Sequence, residues 1–268
     1  MNRYVALLFL CLTMALIGCC QHATTLNFPL AQRNKSATIA LVEYVDGESG
    51  IICSGVWIND DTILTARHCL EGAAQTRFIA ALPTPKDRFI AAMLGMVPNY
   101  TDGQLLELTM NYFVEDEYTD VGNPITDHQA TVLAVDRDKD LAILKTIGEH
   151  PKHFSAPIVQ KIPSTGEEVS IVGHTVGLGW NYTPGHVSRV RKIEKENDEE
   201  ETFTGTYVHI VALIAPGNSG GGAFVSHGCL VGIASFMRRD APGQGFFVHP
   251  DTIREFLRAK GVRFTTYR

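Results

Sequence analysis

The chain is written as short apolar runs, each cut off by a turn signal, and that rhythm restricts the fold more than any other feature. Ala37 to Val45, Gly50 to Ile58 and Thr62 to Ala66 follow one another closely, parted by Asp-Gly and Asn-Asp-Asp turns. Thr131 to Val135, Leu141 to Lys145, Glu168 to Val172 and Thr183 to Arg191 continue the pattern. Tyr207 to Ile214, Gly222 to Val225, Cys229 to Phe236 and Gly245 to Val248 complete it. Strands this short and this closely spaced predict an all-β antiparallel barrel or sandwich. The period changes only at the end. Thr252-Ile-Arg-Glu255 has the form of a capping box, and Ile253, Phe256 and Leu257 share one helical face. A single helix over about 252–260, stopped by Gly261, is the expectation.

With 268 residues, 45% of them hydrophobic, the chain is long enough to bury a sizeable core. A net charge of −6 and the lack of a basic stripe argue against a nucleic-acid partner, which would need cations to displace counterions. Residues 81–128, broken by Pro83, Pro85, Pro98, Gly103 and Pro124, read as an insertion. The acids Glu194, Glu196, Asp198, Glu199, Glu200 and Glu201 lack the regular spacing of a calcium loop and read as a solvated segment. No metal or cofactor is expected.

Residues 1–18 have the form of a secretory signal, with Arg3 ahead of an apolar stretch from Val5 to Ile17 that is too short to span a bilayer comfortably. Leu16-Ile17-Gly18-Cys19 resembles a bacterial lipobox, which implies a mature chain starting at a lipidated Cys19. Anchoring would hold the protein to a bacterial membrane within the cell envelope, facing the periplasm or exterior. Residues 19–36 then read as a polar tether and residues 37–268 as the folded domain. Of the six cysteines, Cys20, Cys53, Cys69 and Cys229 remain beside Cys11 and Cys19. An exported chain is free to form disulfides. Cys53 and Cys69 enclose a short loop, and Cys229 opens an apolar run as a buried thiol would.

The chemistry gathers at Ala215-Pro-Gly-Asn-Ser-Gly-Gly-Gly-Ala-Phe224, where a serine stands among glycines. Glycine permits positive φ, so the amides of Gly217 and Ser219 can turn together toward a developing oxyanion. Ser219 is the candidate nucleophile. Its hydroxyl needs a base held by an acid. His68 stands apart from the other histidines because Thr65-Ala-Arg-His-Cys69 directly follows an apolar strand. Asp136, Asp138 and Asp140 alternate in one strand phase, and Asp140 alone opens the core run Leu141-Ala-Ile-Leu144. Gly217-Asn-Ser-Gly-Gly221 also fits the nucleophile elbow of α/β-hydrolases, but there the acid and histidine follow the serine and a helix comes next. Chain order decides against that fold.

Cys53-Ser-Gly with Thr65-Ala-Arg-His-Cys69, Asp140-Leu-Ala-Ile-Leu and Gly217-Asn-Ser-Gly-Gly221, in this order, resemble the trypsin-like (chymotrypsin-fold) serine proteases from about Ala37 to Lys260. The resemblance implies two six-stranded antiparallel barrels, about 37–150 and 155–250, with His68, Asp140 and Ser219 meeting between them. It also implies a bridge between Cys53 and Cys69. Val169-Ser-Ile-Val-Gly-His-Thr-Val-Gly-Leu-Gly179 and Pro184-Gly-His-Val-Ser188 resemble the HtrA-like branch. Asn218 stands where zymogen-activated relatives carry an aspartate, so proteolytic activation is not expected. Only 49 residues follow Ser219, too few for the PDZ module of that branch.

By the same resemblance, Leu213, Ser235, Met237 and Gly245 would line the primary substrate pocket. None of them is a carboxylate, which implies a small or medium apolar residue before the scissile bond. The expected partner is a protein or peptide substrate. A catalytically silent binding lipoprotein on the same fold is the alternative.

Overall fold

A computed structural model describes residues 27–45, 48–70, 75–80, 128–150, 153–175, 180–193, 204–238 and 241–267. Helix α1 (Asn27–Ser36) leads into strands β1 (Thr38–Val45), β2 (Glu48–Asn59) and β3 (Thr62–Thr65). A 3-10 turn (Arg67–Leu70) precedes β4 (Gln75–Ala80), β5 (His128–Asp136) and β6 (Leu141–Ile147). These six strands close in the order β1-β2-β3-β6-β5-β4, antiparallel throughout.

The second half runs β7 (Ile158–Val159), β8 (Glu168–Gly173), β9 (Asn181–Ile193), β10 (Gly205–Ala212), β11 (Gly222–Phe224), β12 (Leu230–Met237) and β13 (Gln244–Val248). Helix α2 (Pro250–Ala259) and β14 (Thr266–Tyr267) end it. The order β11-β8-β9-β10-β13-β12 is closed by the β11–β12 pairing into a second six-stranded barrel. β7 lies parallel against β12, and β14 parallel against β7. The expected pair of barrels is therefore present.

Successive strand residues point to opposite sides, so a strand wedged between two apolar layers buries side chains on both faces. β3 shows this. Ile63, opposite Leu144, joins Ile39, Leu41, Trp57 and Phe78 inside the first barrel, while Leu64, opposite Ile143, joins a core shared with the second. That shared core packs Val56, Leu64, Leu141 and Ile143 against Val172, Tyr207, Phe224 and Ile233. Each such buried side chain contributes roughly 1.5–3 kcal/mol, so the two barrels are fixed against each other. The site sits at this seam.

Three expectations need correction. The polar tether proposed up to residue 36 contains α1, whose stability comes from distant partners rather than from an apolar face. Arg33 lies 3.8 Å over the Phe154 ring, and Asn34 Nδ2 donates to Ser170 Oγ at 3.1 Å. Helix α2 begins earlier than the capping box predicts, because Pro250 occupies its first turn and His249 Nδ1 accepts from the Asp251 amide at 3.1 Å. Strands β4, β7 and β14 were not foreseen. The proposed signal, Cys19, the 194–201 acids and all but the last residue of the 81–128 insertion lie outside the described residues. Among the described residues no helix is long and apolar enough to cross a membrane.

Candidate active site

β3 ends at Thr65, and the chain turns at once into Arg67–Leu70, which carries His68. A disulfide from Cys69 to Cys53 of β2 ties that turn to the barrel wall, with Cα atoms 6.0 Å apart. Asp140 closes the turn between β5 and β6 with φ at +52°, a left-handed conformation that its short polar side chain tolerates. Its carboxylate is buried. Oδ1 accepts the His68 backbone amide at 3.0 Å, and the His68 Nδ1 lies 2.9 Å from Oδ2 and 3.1 Å from Oδ1. Ser235 Oγ, from β12 of the other barrel, donates to Oδ2 at 2.6 Å. A buried carboxylate so surrounded by donors is satisfied without a counter-cation. It also fixes the tautomer. With Nδ1–H committed to Asp140, the neutral ring carries its lone pair on Nε2, and 23% of the side chain is exposed.

The second barrel presents Ser219 on a turn built by glycine. Asn218 N–H donates to Ala215 O at 3.2 Å across Pro216 and Gly217, and Gly217 has φ +94°. Proline then glycine with positive φ is the signature of a type II turn. Asn218 O accepts the Gly221 amide at 2.9 Å, so in the trans peptide the Ser219 N–H points the opposite way. Among the described residues the amides of Gly217 and Ser219 donate to no backbone carbonyl. Two unspent amides beside a serine are what an oxyanion needs. Gly220 (φ +79°) packs so closely that a Cβ there would lie 2.1 Å from Ser54 O and 2.2 Å from Thr65 Oγ1. Asn218, buried, accepts from Thr175 Oγ1 at 3.1 Å, and Thr175 in turn accepts from Asn181 Nδ2 at 3.1 Å.

His68 and Ser219 line one cleft of about 400 Å³. Apart from Ser235 its remaining lining is apolar, from Ile214, Ala215 and Pro216 and from Ala234, Phe236, Met237, Phe246 and Phe247. Two of the four pocket residues named from sequence, Ser235 and Met237, are in this lining. Leu213 is not. It is 83% exposed, because the alternation of β10 continues past Ala212 and turns residue 213 outward and Ile214 inward. Gly245 is buried beneath the Ile214 side chain, whose Cδ1 stands 2.0 Å from where a Cβ would be, so Ile214 supplies the wall instead.

Two residues near the site bear on its electrostatics. Burial, with Lys35 adding to it, pulls the imidazole of His174 down to about 3, so it is neutral at ordinary pH. Burial and then the Asp140 carboxylate push the Tyr207 phenol up. The residues that could bring metal ligands together, Cys53, His68 and Cys69, have their ligand atoms within 4.8 Å of one another. The two sulfurs are bonded to each other and offer no thiolate. Cys229 is a free, buried thiol whose pKa burial raises.

Sequence reasoning missed three contributors here. Ile214 was discoverable by counting strand alternation one residue further. The Ser235 hydroxyl as a donor to Asp140, and Ser54 beneath the turn, have partners 95 or more residues away and carry no local signal.

Residues 53–233 match the sequence profile of the trypsin-like peptidase domain. Protease Do-like 1 of the Arabidopsis thaliana chloroplast is 27% identical over 213 residues, covering 73% of this chain and 47% of that protein. The putative serine protease HhoB of Synechocystis sp. is 28% identical over 140 residues, covering 50% of this chain and 32% of that protein. The chain thus matches half or less of the length of these relatives. Among solved structures, the active form of the Rv3671c protease from M. tuberculosis superimposes with a TM-score of 0.64 at 17% identity, covering 91% of this chain and 89% of that one. The HtrA-type protease AlgW with tripeptide gives 0.57 at 21% identity, covering 86% and 62%. At such identity the structures establish the shared fold. Since the profile spans more than half of the sequence and its motifs fall on the seam between two barrels, the chain belongs to the trypsin-like peptidase family.

Proposed function

We propose that the protein is a serine endopeptidase that hydrolyses peptide bonds through an acyl-enzyme. The observation that carries this is the pairing of His68 Nδ1 with Asp140 at 2.9 Å in a cleft that Ser219 also lines. Ser219 Oγ attacks the substrate carbonyl, and His68 Nε2 accepts its proton. The carbonyl oxygen becomes an oxyanion held by the Gly217 and Ser219 amides. His68 then passes the proton to the departing amine, leaving the acyl group on Ser219. Water, deprotonated by His68, attacks this ester, and the acid and free serine are restored. Asp140 holds the imidazole in the correct tautomer throughout.

The apolar lining, which has no carboxylate, favours a small or medium apolar side chain before the scissile bond. Asn218 takes its partner from Thr175 rather than from a freed amino terminus, which supports an enzyme made without proteolytic activation. Lipidation at Cys19, after the Leu16-Ile17-Gly18 segment, would hold the enzyme at a membrane outside the cytoplasm. Mass spectrometry of the native N-terminal peptide tests the anchor, since an unacylated Cys19 in mature protein would exclude it.

A fluorophosphonate probe tests the activity. Wild type is expected to label and Ser219→Ala to stay unlabelled. A folded wild type that does not react would sink the protease and leave the binding module.

A further inference from the structure

Ser54 belongs to the first barrel, one residue after the bridged Cys53, yet it holds the turn that carries the nucleophile. Its amide donates to Ser219 O at 2.8 Å. Its side chain is buried, with Oγ 2.8 Å from Gly217 O, 2.9 Å from the His174 amide nitrogen and 3.2 Å from His174 Nδ1. A hydroxyl has one proton and two lone pairs. The Gly217 carbonyl only accepts, so the proton goes there, and the His174 amide takes one lone pair. The contact with Nδ1 must then be made by a proton on the ring. His174 is thus the Nδ1–H tautomer with a bare Nε2, which agrees with the absence of any hydrogen-bond partner for Nε2 among the described residues. Trp180 packs edge-on over that ring at 4.3 Å, its own N–H given to Thr38 O at 3.2 Å. One arrangement of protons satisfies all three contacts of the hydroxyl.

The same residue therefore pins two carbonyls of the turn, those of Gly217 and Ser219. It does so from a strand whose preceding cysteine is bonded to the neighbour of His68. We propose that the Ser54 hydroxyl and the His174 ring are positioning residues, setting the oxyanion turn of Ser219 against the base on the opposite barrel. This rests on the protease reading. The turn is then held by the chain's own side chains. Losing the lock leaves the substrate pocket intact but lets the Gly217 and Ser219 amides drift, which weakens only those states that contain an oxyanion.

The test uses the purified protein and a peptide amide with an apolar residue before the cleaved bond. Ser54→Ala is expected to lower kcat about tenfold to a hundredfold with KM within about twofold. It should weaken a peptide aldehyde, which forms an oxyanion on Ser219, by a similar factor, with little change for the product peptide. His174→Leu should behave alike, and His174→Asn, whose amide nitrogen replaces Nδ1–H, should recover most of the loss. A purely structural role would instead lower thermal stability in step with activity and show no rescue by asparagine. Nitrogen-15 NMR of the wild-type ring gives a readout that needs no variant to fold, and a proton found on Nε2 overturns the assignment. Unchanged kcat and aldehyde affinity in a labelled, folded Ser54→Ala would overturn the lock alone. A wild type that the fluorophosphonate does not label would overturn the protease reading as well.

Discussion

The two barrels carry their halves of the site by different means. On the first, His68 stands beside a disulfide, and Asp140 sits at a left-handed φ with its carboxylate buried and supplied with donors. On the second, Ser219 rides on a glycine turn whose position comes from backbone hydrogen bonds and from a neighbour in the other barrel. In the proposed mechanism the difference follows from what each half must do. An imidazole has to keep one orientation while protons come and go, so covalent and buried-charge constraints serve it. A backbone packed this tightly has no room for a side chain at Gly220, whose absent Cβ permits the close approach to Ser54.

The sharpest way to break this contrast is to spoil the acid without moving it. Asp140→Asn keeps size and burial but offers a donor where His68 Nδ1–H needs an acceptor, so the ring takes the wrong tautomer. We expect kcat to fall about ten thousandfold, the scale on which such a change acts in a Ser-His-Asp triad, with a circular dichroism spectrum like wild type. A loss below tenfold would mean that Asp140 does not orient the base. On the glycine side the failure should be of folding instead. Gly220→Ala would place a methyl against the Ser54 carbonyl at a φ that alanine resists, and chemical denaturation should show a loss of more than about 3 kcal/mol. Wild-type stability in that variant would mean the turn is not the close-packed contact described.

The disulfide offers a third comparison, because it braces the base without touching the chemistry. Replacing both Cys53 and Cys69 by serine releases a loop with a sequence separation of 16. The chain-entropy account puts the cost at about 3 kcal/mol, visible as a lower denaturation midpoint. At temperatures where the variant is still folded, kcat should fall less than tenfold, since Asp140 continues to hold His68 through its backbone amide as well as its ring. A larger loss would show that the bridge, rather than the acid, sets the position of the imidazole.

What could be read from the sequence was whatever is local and periodic. Strand pairs such as Thr62–Thr65 with Leu141–Ile147 were legible because their apolar cores, Ile63-Leu64 and Leu141-Ala-Ile-Leu144, are buried on both faces. Asp140 could be singled out from Asp136 and Asp138 because it alone touches such a run. The start of α2 was misplaced although Pro250 marked it, since Thr252 and Glu255 imitate a capping box at the right spacing. Helix α1 was illegible for another reason. Its partners Phe154, Ser170 and Trp180 come from the far half of the chain, and nothing in a polar decapeptide announces them. The contacts of Ser54 and His174 are of the same kind.

The smallest expected effect concerns the pocket and a single side chain of its lining. Ile214 leans over Gly245 and fills space that a deeper pocket would leave open, while Leu213, its neighbour, faces solvent. Ile214→Ala removes three carbons from the lining above Gly245 and should leave the triad untouched. The kcat/KM ratio for phenylalanyl over valyl substrates should then rise about tenfold, since a few methylenes in an apolar pocket discriminate by about 1–3 kcal/mol. Leu213→Ala is the control and should leave the ratio within about twofold, as an exposed side chain cannot select. If the two variants gave the reverse result, the pocket would be bounded by residue 213 after all, and the outward turn at the end of β10 would not describe the enzyme with substrate bound.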